Sequence, residues 1–128
     1  MGVFDPAATL PAEHRTLAWY LTALGRRDTF IIAWEAFFER YHAVILPAAT
    51  STAFPHDTAD TDGNGRMLAL ANLAGVPALT VPAGRDRAGL PIGVQIVGPR
   101  WSEMRLLDIA RALEQASVLP GFTAPPGY

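Results

Sequence analysis

The spacing of apolar positions changes along the chain, and each change marks an element. From Asp28 onward, Phe30, Ile31, Trp34, Phe37, Phe38 and Tyr41 recur at helical period, with Glu35, Glu39 and Arg40 off the stripe. This predicts a helix whose aromatic side packs into the core; a cofactor-stacking face is the alternative, and the period favours packing. Upstream, Pro11 suits a first helical position and Glu13 a first turn, Leu17, Leu21 and Leu24 share a face, and Gly25 is placed to end a first helix. Ala43 to Leu46 is a short apolar run before Pro47, a buried strand. Pro47 to Gly65, rich in Asp, Gly and Pro, reads as a long loop. Arg66 to Ala74 predicts a short helix stopped by Gly75. Ala78 to Val81 is a strand between Pro77 and Pro82, and Ala83 to Leu90 is a turn in which Gly89 supplies a positive backbone angle. Ile92 to Val97 is the next strand, with Gly93 leaving room for a close neighbour. Ser102 is placed to cap a last helix lined by Leu106, Leu107, Ala110 and Leu113.

The order helix, helix, strand, helix, strand, strand, helix predicts an α/β fold. One strand–helix–strand crossover plus a hairpin gives a small mixed sheet of about three strands, covered by about four helices. Strand runs without alternation predict burial on both faces. No repeat or linker divides the chain, so residues 1–10 read as an irregular lead-in, 11–118 as a single α/β domain and 119–128 as an extended Pro/Gly tail.

Composition narrows the function classes. Half of the 128 residues are apolar, enough for a packed core. The net charge of −2, with arginines scattered from Arg15 to Arg111, provides no basic stripe for nucleic acid. Cysteine is absent, and His14, His42 and His56 lack metal-ligand spacing, so neither thiol chemistry nor a metal site is predicted. The N-terminus lacks the basic start and apolar run of a secretion signal, and no apolar run approaches the ~18 residues of a membrane span. A cytoplasmic location is the expectation.

Several strings in the middle and second half of the chain resemble the amidase signature family, serine hydrolases that cleave carboxamides. FFERYHAVILPA is similar to that family's aromatic helix running into a short strand that ends in Pro. Asn72 to Pro82 is similar to its helix–Gly–Pro–strand unit, GLPIGVQIVGP (Gly89 to Pro99) to its C-terminal string, and PGFTAPPGY to the end of many bacterial members. The FPHD loop, Phe54 to Asp57, also recurs there. The resemblance covers Leu10 onward and corresponds to the last quarter or so of a full family member. It implies a partial amidase-signature-like fold and catalysis by a serine activated through a second serine and a lysine.

That machinery has no counterpart here. The chain contains no lysine, and Ser51, Ser102 and Ser117 lie outside any Gly/Ser-rich loop, so no catalytic residue is assigned. A triad of Ser51, His56 and Asp57 would crowd all three members into one loop without a GxSxG elbow, and geometry rather than residue type defines a triad. The resemblance implies that the loop after the strand ending in Pro approaches the amide cleft, making Pro47, His56 and Asn72 the cleft candidates. In the glutamine-using branch an acidic residue precedes this Asn; Gly65 aligns there, with Asp62 close by. Only Arg66 to Ala71 separate the Asn64–Gly65 turn from the NLAG helix, a shorter segment than in similar members. The expected role is therefore a C-terminal piece of an amidase-type hydrolase, supplying sheet and cleft wall. A non-catalytic binding or assembly module and an autonomous hydrolase with an unfamiliar nucleophile are the alternatives. The expected partners are the missing N-terminal catalytic portion or a second copy of the chain, with a small amide substrate only in the complete enzyme. No cofactor is implied.

Overall fold

The structure, a computed structural model, describes residues 11, 16–55 and 64–116. Three helices and three strands alternate as α1 (Leu17–Phe38), β1 (Val44–Pro47), α2 (Asn64–Ala74), β2 (Ala78–Arg85), β3 (Pro91–Val97) and α3 (Glu103–Gln115). The α/β class is the one the sequence predicts, but several elements are built differently.

The two predicted N-terminal helices are one. The described helix begins after Thr16, whose Oγ1 accepts the Trp19 N–H at 3.2 Å, and runs without a break through Gly25 to Phe38. A glycine inside a helix costs only about 1 kcal/mol against alanine, which neighbouring helix formers and packing offset. Thr29 Oγ1 donates back to the Gly25 carbonyl at 3.1 Å, so that turn is helical on both sides. The helix stop expected at Gly25 is absent, whereas the one expected at Gly75 is present: its φ is +67° and both its N–H and that of Val76 return to the Ala71 carbonyl. α2 starts at Asn64, so the expected Asn64–Gly65 turn is helix instead.

The sheet is antiparallel throughout, in the order β1–β3–β2. The predicted crossover does not make β1 and β2 neighbours, because the α2 connection carries the chain past the position that β3 then fills. The sheet is therefore not mixed at the level of its pairs. β2 also continues past Pro82, which pairs with Gly93, and is irregular between Pro82 and Gly84, with Gly84 at φ +153°. A proline is tolerated there because β2 lies at the edge of the described sheet, and the bulge absorbs the misfit. Gly89 has φ +84° in the β2–β3 turn, as its placement predicts.

Packing is concentrated at the C-terminal half of β3. Val81, Ile96, Leu106 and Ala110 form the buried cluster, ringed by Leu79, Val94, Ile109 and Leu113. α3 supplies Leu106 and Ala110; Leu107, predicted to share that face, is 39% exposed, because the helix buries a narrower stripe than its apolar residues offer. Only the end of β3 is buried on both faces, at Gln95, Ile96 and Val97, and β2 alternates.

The aromatic stripe of α1 is not the centre of the core. Phe30, Trp34, Phe37 and Phe38 are half-buried, and no described residue of α1 is fully buried. The rings pack chiefly on one another: Trp34 and Phe37 meet edge to face at 6.0 Å between centroids, and Phe37 and Tyr41 stack at 4.7 Å. α1 is tied to α2 by Arg27 Nε, which donates to the Leu73 carbonyl at 3.0 Å, and Arg100 joins Glu35 of α1 at 3.6 Å while its Nη2 reaches the Ala74 carbonyl at 3.4 Å. Two guanidinium groups thus meet the carbonyl end of α2, where a helix favours positive charge.

Candidate functional site

The loop that leaves β1 after Pro47 forms one wall of a groove of about 290 Å³. Its lining runs through the loop from Ala48 to Ala53 and across to Pro91, Ile92 and Gly93 at the start of β3. The two walls meet at the Ala48 N–H, which donates to the Gly93 carbonyl at 3.4 Å. Gly93 is small for a reason of space: a Cβ there would come 3.1 Å from Thr80 Cγ2 and 3.7 Å from the Ala48 Cβ. The close approach predicted at this glycine is therefore present, and its neighbours are a side chain of β2 and the groove loop.

From the loop wall, Thr52 Oγ1 donates to Asp86 Oδ2, in the β2–β3 turn, at 2.9 Å. Asp86 Oδ1 accepts the N–H groups of Ala88 and Leu90, each at 2.8 Å. The Leu90 N–H first, and then the Thr52 hydroxyl, stabilise the ionised form and hold the Asp86 carboxyl below its ordinary value. The groove walls are thus short side chains and backbone, and the carboxylate belongs to the turn.

The predicted cleft residues are only partly brought together. Pro47 ends β1 beside the groove, paired with Val94. Asn72 is exposed on α2 and makes no side-chain hydrogen bond among the described residues. His56 and Asp57 lie outside the described residues, as do Asp62 and Ser117. Ser102 occupies the N-cap position of α3, but its hydroxyl does not cap: it donates backwards to the Pro99 carbonyl at 2.6 Å. No group of three or more metal-ligating side chains occurs among the described residues.

Two features escape the sequence. Asp86 reads there as a turn residue, and only folding shows that it reaches a loop thirty-four positions away. Gln95 is 4% exposed in the middle of β3, and its Oε1 has no hydrogen-bond partner among the described residues. A polar residue in an otherwise apolar strand is the available signal. On the same face of the sheet as Gln95 and Val97, Val44 faces α1 across an apolar hollow of about 250 Å³ lined by Phe30, Ala33, Trp34 and Phe37.

Known proteins share both the sequence and the arrangement. The amidase family profile matches residues 4–107. A glutamyl-tRNA(Gln) amidotransferase subunit of Maricaulis maris is 38% identical over 114 residues, which is 85% of this chain and 23% of that protein. The crystal structure of the corresponding subunit from Thermotoga maritima superposes with a TM-score of 0.66 at 30% identity, over 77% of this chain and 22% of that one. A peptide amidase bound to the inhibitor chymostatin gives 0.63 at 31% identity, over 84% of this chain and 23% of that one. The chain thus spans about a quarter of the length of the relatives it matches. It belongs to the amidase family.

Proposed function

We propose that the chain serves as the C-terminal wall of an amide-cleaving enzyme, acting on carboxamide C–N bonds only together with residues outside it. The observation that carries this reading is the coverage: most of the chain matches less than a quarter of an amidotransferase subunit. The groove beside Pro47 supports it. Its lining of Ala, Thr, Ser, Pro, Ile and Gly offers shape and hydrogen bonds but no general base, and the chain has no lysine to fill that role. In this reading the loop from Ala48 to Ala53 faces the amide, and the buried Gln95 carbonyl, without a partner among the described residues, is met by a donor from the rest of the fold. The test is ammonia release from a panel of aliphatic and aromatic amides. The purified chain should release none above background, and activity should appear when it is co-expressed with the catalytic portion of a family member. Turnover by the chain alone that disappears in Ser51→Ala would overturn the proposal.

One observation favours a second reading, a non-catalytic assembly module. Trp101 is 90% exposed and Met104 68% exposed at the start of α3, and Ile32 is 64% exposed on α1. Large apolar side chains in such positions suit an interface. Light scattering decides: a stable homodimer without any amide-dependent activity in the co-expressed complex favours the module, and a monomer that joins the catalytic portion favours the enzyme piece.

A further inference from the structure

Among the described residues β1 pairs with β3 alone, and the register says which backbone groups its other edge carries. In an antiparallel pair every second residue turns both its N–H and its C=O to the same neighbour. The Ala48 N–H donates to the Gly93 carbonyl, and the Gly98 N–H to the Pro77 carbonyl. β3 therefore turns Gly93, Gln95 and Val97 to β1, and Val94 and Ile96 to β2. On β1, Val44 and Leu46 face β3, and Ile45 and Pro47 turn outward. Pro47 has no N–H, so Ile45 brings the one outward donor of β1, with its own carbonyl and that of Pro47 as acceptors. The two edges of the sheet are not alike. The outward residues of β2 are Ala78, Thr80 and Pro82, small or polar, and the strand bulges after Pro82; such features suit an edge that stays unpaired. β1 reads Val-Ile-Leu, an apolar run without alternation, which is the composition of a strand covered on both faces. Ile45 is nevertheless 51% exposed, while its register partner Ile96, in the buried cluster with Leu106 of α3, is 0% exposed. The cover that α3 gives Ile96 does not extend to Ile45.

We propose that β1 is an interior strand of the assembled enzyme: an extended apolar segment, from the part of an amidase-family chain outside these residues, pairs with its open edge. A carbonyl of that segment accepts the Ile45 N–H, one of its N–H groups donates to the Ile45 carbonyl, and an apolar side chain covers Ile45. This rests on the reading of the chain as one piece of a larger enzyme. The occupant follows from length: the relatives are about four times as long as the segment matched here, so polypeptide able to supply a further strand lies there. A second copy is the poorer occupant. In antiparallel β1–β1 pairing each Pro47 would leave a facing carbonyl without a donor, two in all, where a foreign strand loses one.

The test is amide hydrogen exchange on the full 128-residue chain, alone and mixed with the Thermotoga maritima subunit lacking the segment that this chain matches. Alone, the Ile45 amide should exchange at least about tenfold faster than that of Leu46, which is bonded to β3. In the complex it should slow at least about tenfold. Ile45→Pro removes the outward N–H and leaves the pairing with β3; it should keep the parent circular dichroism and bind at least about tenfold more weakly. Ile45→Val keeps the N–H and should bind within about threefold of the parent. If the proline variant does not fold, protection of Ile45 in the parent complex decides. Failure to associate, Ile45 exchange that binding leaves unchanged, or a folded proline variant that binds like the parent overturns the proposal. Ile45 protection that grows with the concentration of the lone chain assigns the edge to a second copy and overturns it too. Ammonia release is recorded separately. Protection of Ile45 in a complex that releases none upholds the strand pairing and refutes the amide-cleaving role; release without that protection does the reverse.

Discussion

Gly98 offers the sharpest test of how β3 and α3 are fitted together. It follows the last residue of β3, is buried, and donates its N–H to the Pro77 carbonyl at 3.2 Å. Its φ is outside the left-handed region, so an alanine is not excluded by backbone conformation. Space is the obstacle. A Cβ would stand 2.5 Å from Ser102 Oγ and 2.7 Å from Leu106 Cδ2. Carbon atoms pack at about 3.5–4.0 Å, so the first turn of α3 would have to retreat by about 1 Å. Neither neighbour yields easily: the Ser102 hydroxyl is held 2.6 Å from the Pro99 carbonyl, and Leu106 is 2% exposed at the heart of the core. Overpacking of this kind costs about 1–3 kcal/mol, and Gly98→Ala should lower stability by that amount in urea melts followed by tryptophan fluorescence and circular dichroism. Leu106→Ala alone should cost about 2–5 kcal/mol through the cavity it leaves. The double variant should cost about 1 kcal/mol less than the two losses added, since the alanine at 98 moves into space that Leu106 vacates, while the overlap with Ser102 persists. A Gly98→Ala chain within about 0.5 kcal/mol of the parent, or a strictly additive double variant, would refute this account of the strand–helix contact.

Two further outcomes are expected. Phe37→Ala should cost about 1–2 kcal/mol, well short of the loss at a fully buried phenylalanine, because Phe37 is half-buried and packs mainly on Trp34, Phe38 and Tyr41; a loss above about 3 kcal/mol in the same melts would mean that the α1 stripe is covered. Asp86 has its carboxyl held below the unfolded value of about 3.9, so the stability it adds is fully present above that pH and is lost as pH falls through the lower folded value. The loop from Ala48 to Pro55 carries no ionisable side chain, and the charged neighbours of Asp86 in the turn are Arg85 and Arg87. Asp86→Asn should therefore be less stable than the parent by a constant margin near neutrality, a margin that narrows below about pH 4. A margin that stays level or widens in acid would show that the carboxylate is not the group responsible.

Local signals in the chain are legible where one residue suffices to cause them. Gly75 and Gly89 adopt the positive φ that their positions call for, and Gly93 has the close neighbours its place in a strand implies. Gly25 shows the limit of such reasoning. A glycine permits a helix to end but does not require it, and here a continuous α1 keeps Arg27 and Glu35 on one rigid body, where they meet Leu73 and Arg100. Nothing near Gly25 in sequence carries that information. The same holds for Asp86, whose role in the turn is local and whose hold on Thr52 is not.

Sheet order and the partial burial of α1 have a common cause. A strand–helix–strand signal describes the connection, and it is silent about which strand will lie between the two ends. β3 takes that place because its end carries Ile96 and Val97, the two side chains of the sheet that are fully buried, and a central strand alone is covered on both edges as well as both faces. β1 and β2 are left at the edges of the described sheet, and the face bearing Val44 and Gln95 is left with a hollow under α1 and an acceptor without a donor among the described residues. The stripe of α1 is apolar, as its period says, but depth of burial depends on what stands opposite. In relatives about four times as long, most of the polypeptide lies outside the segment matched here. A helix stripe wider than the surface it meets, the open edge of β1 and a buried amide oxygen without a donor among the described residues are the surfaces that the proposed enzyme piece would turn toward the rest of its fold.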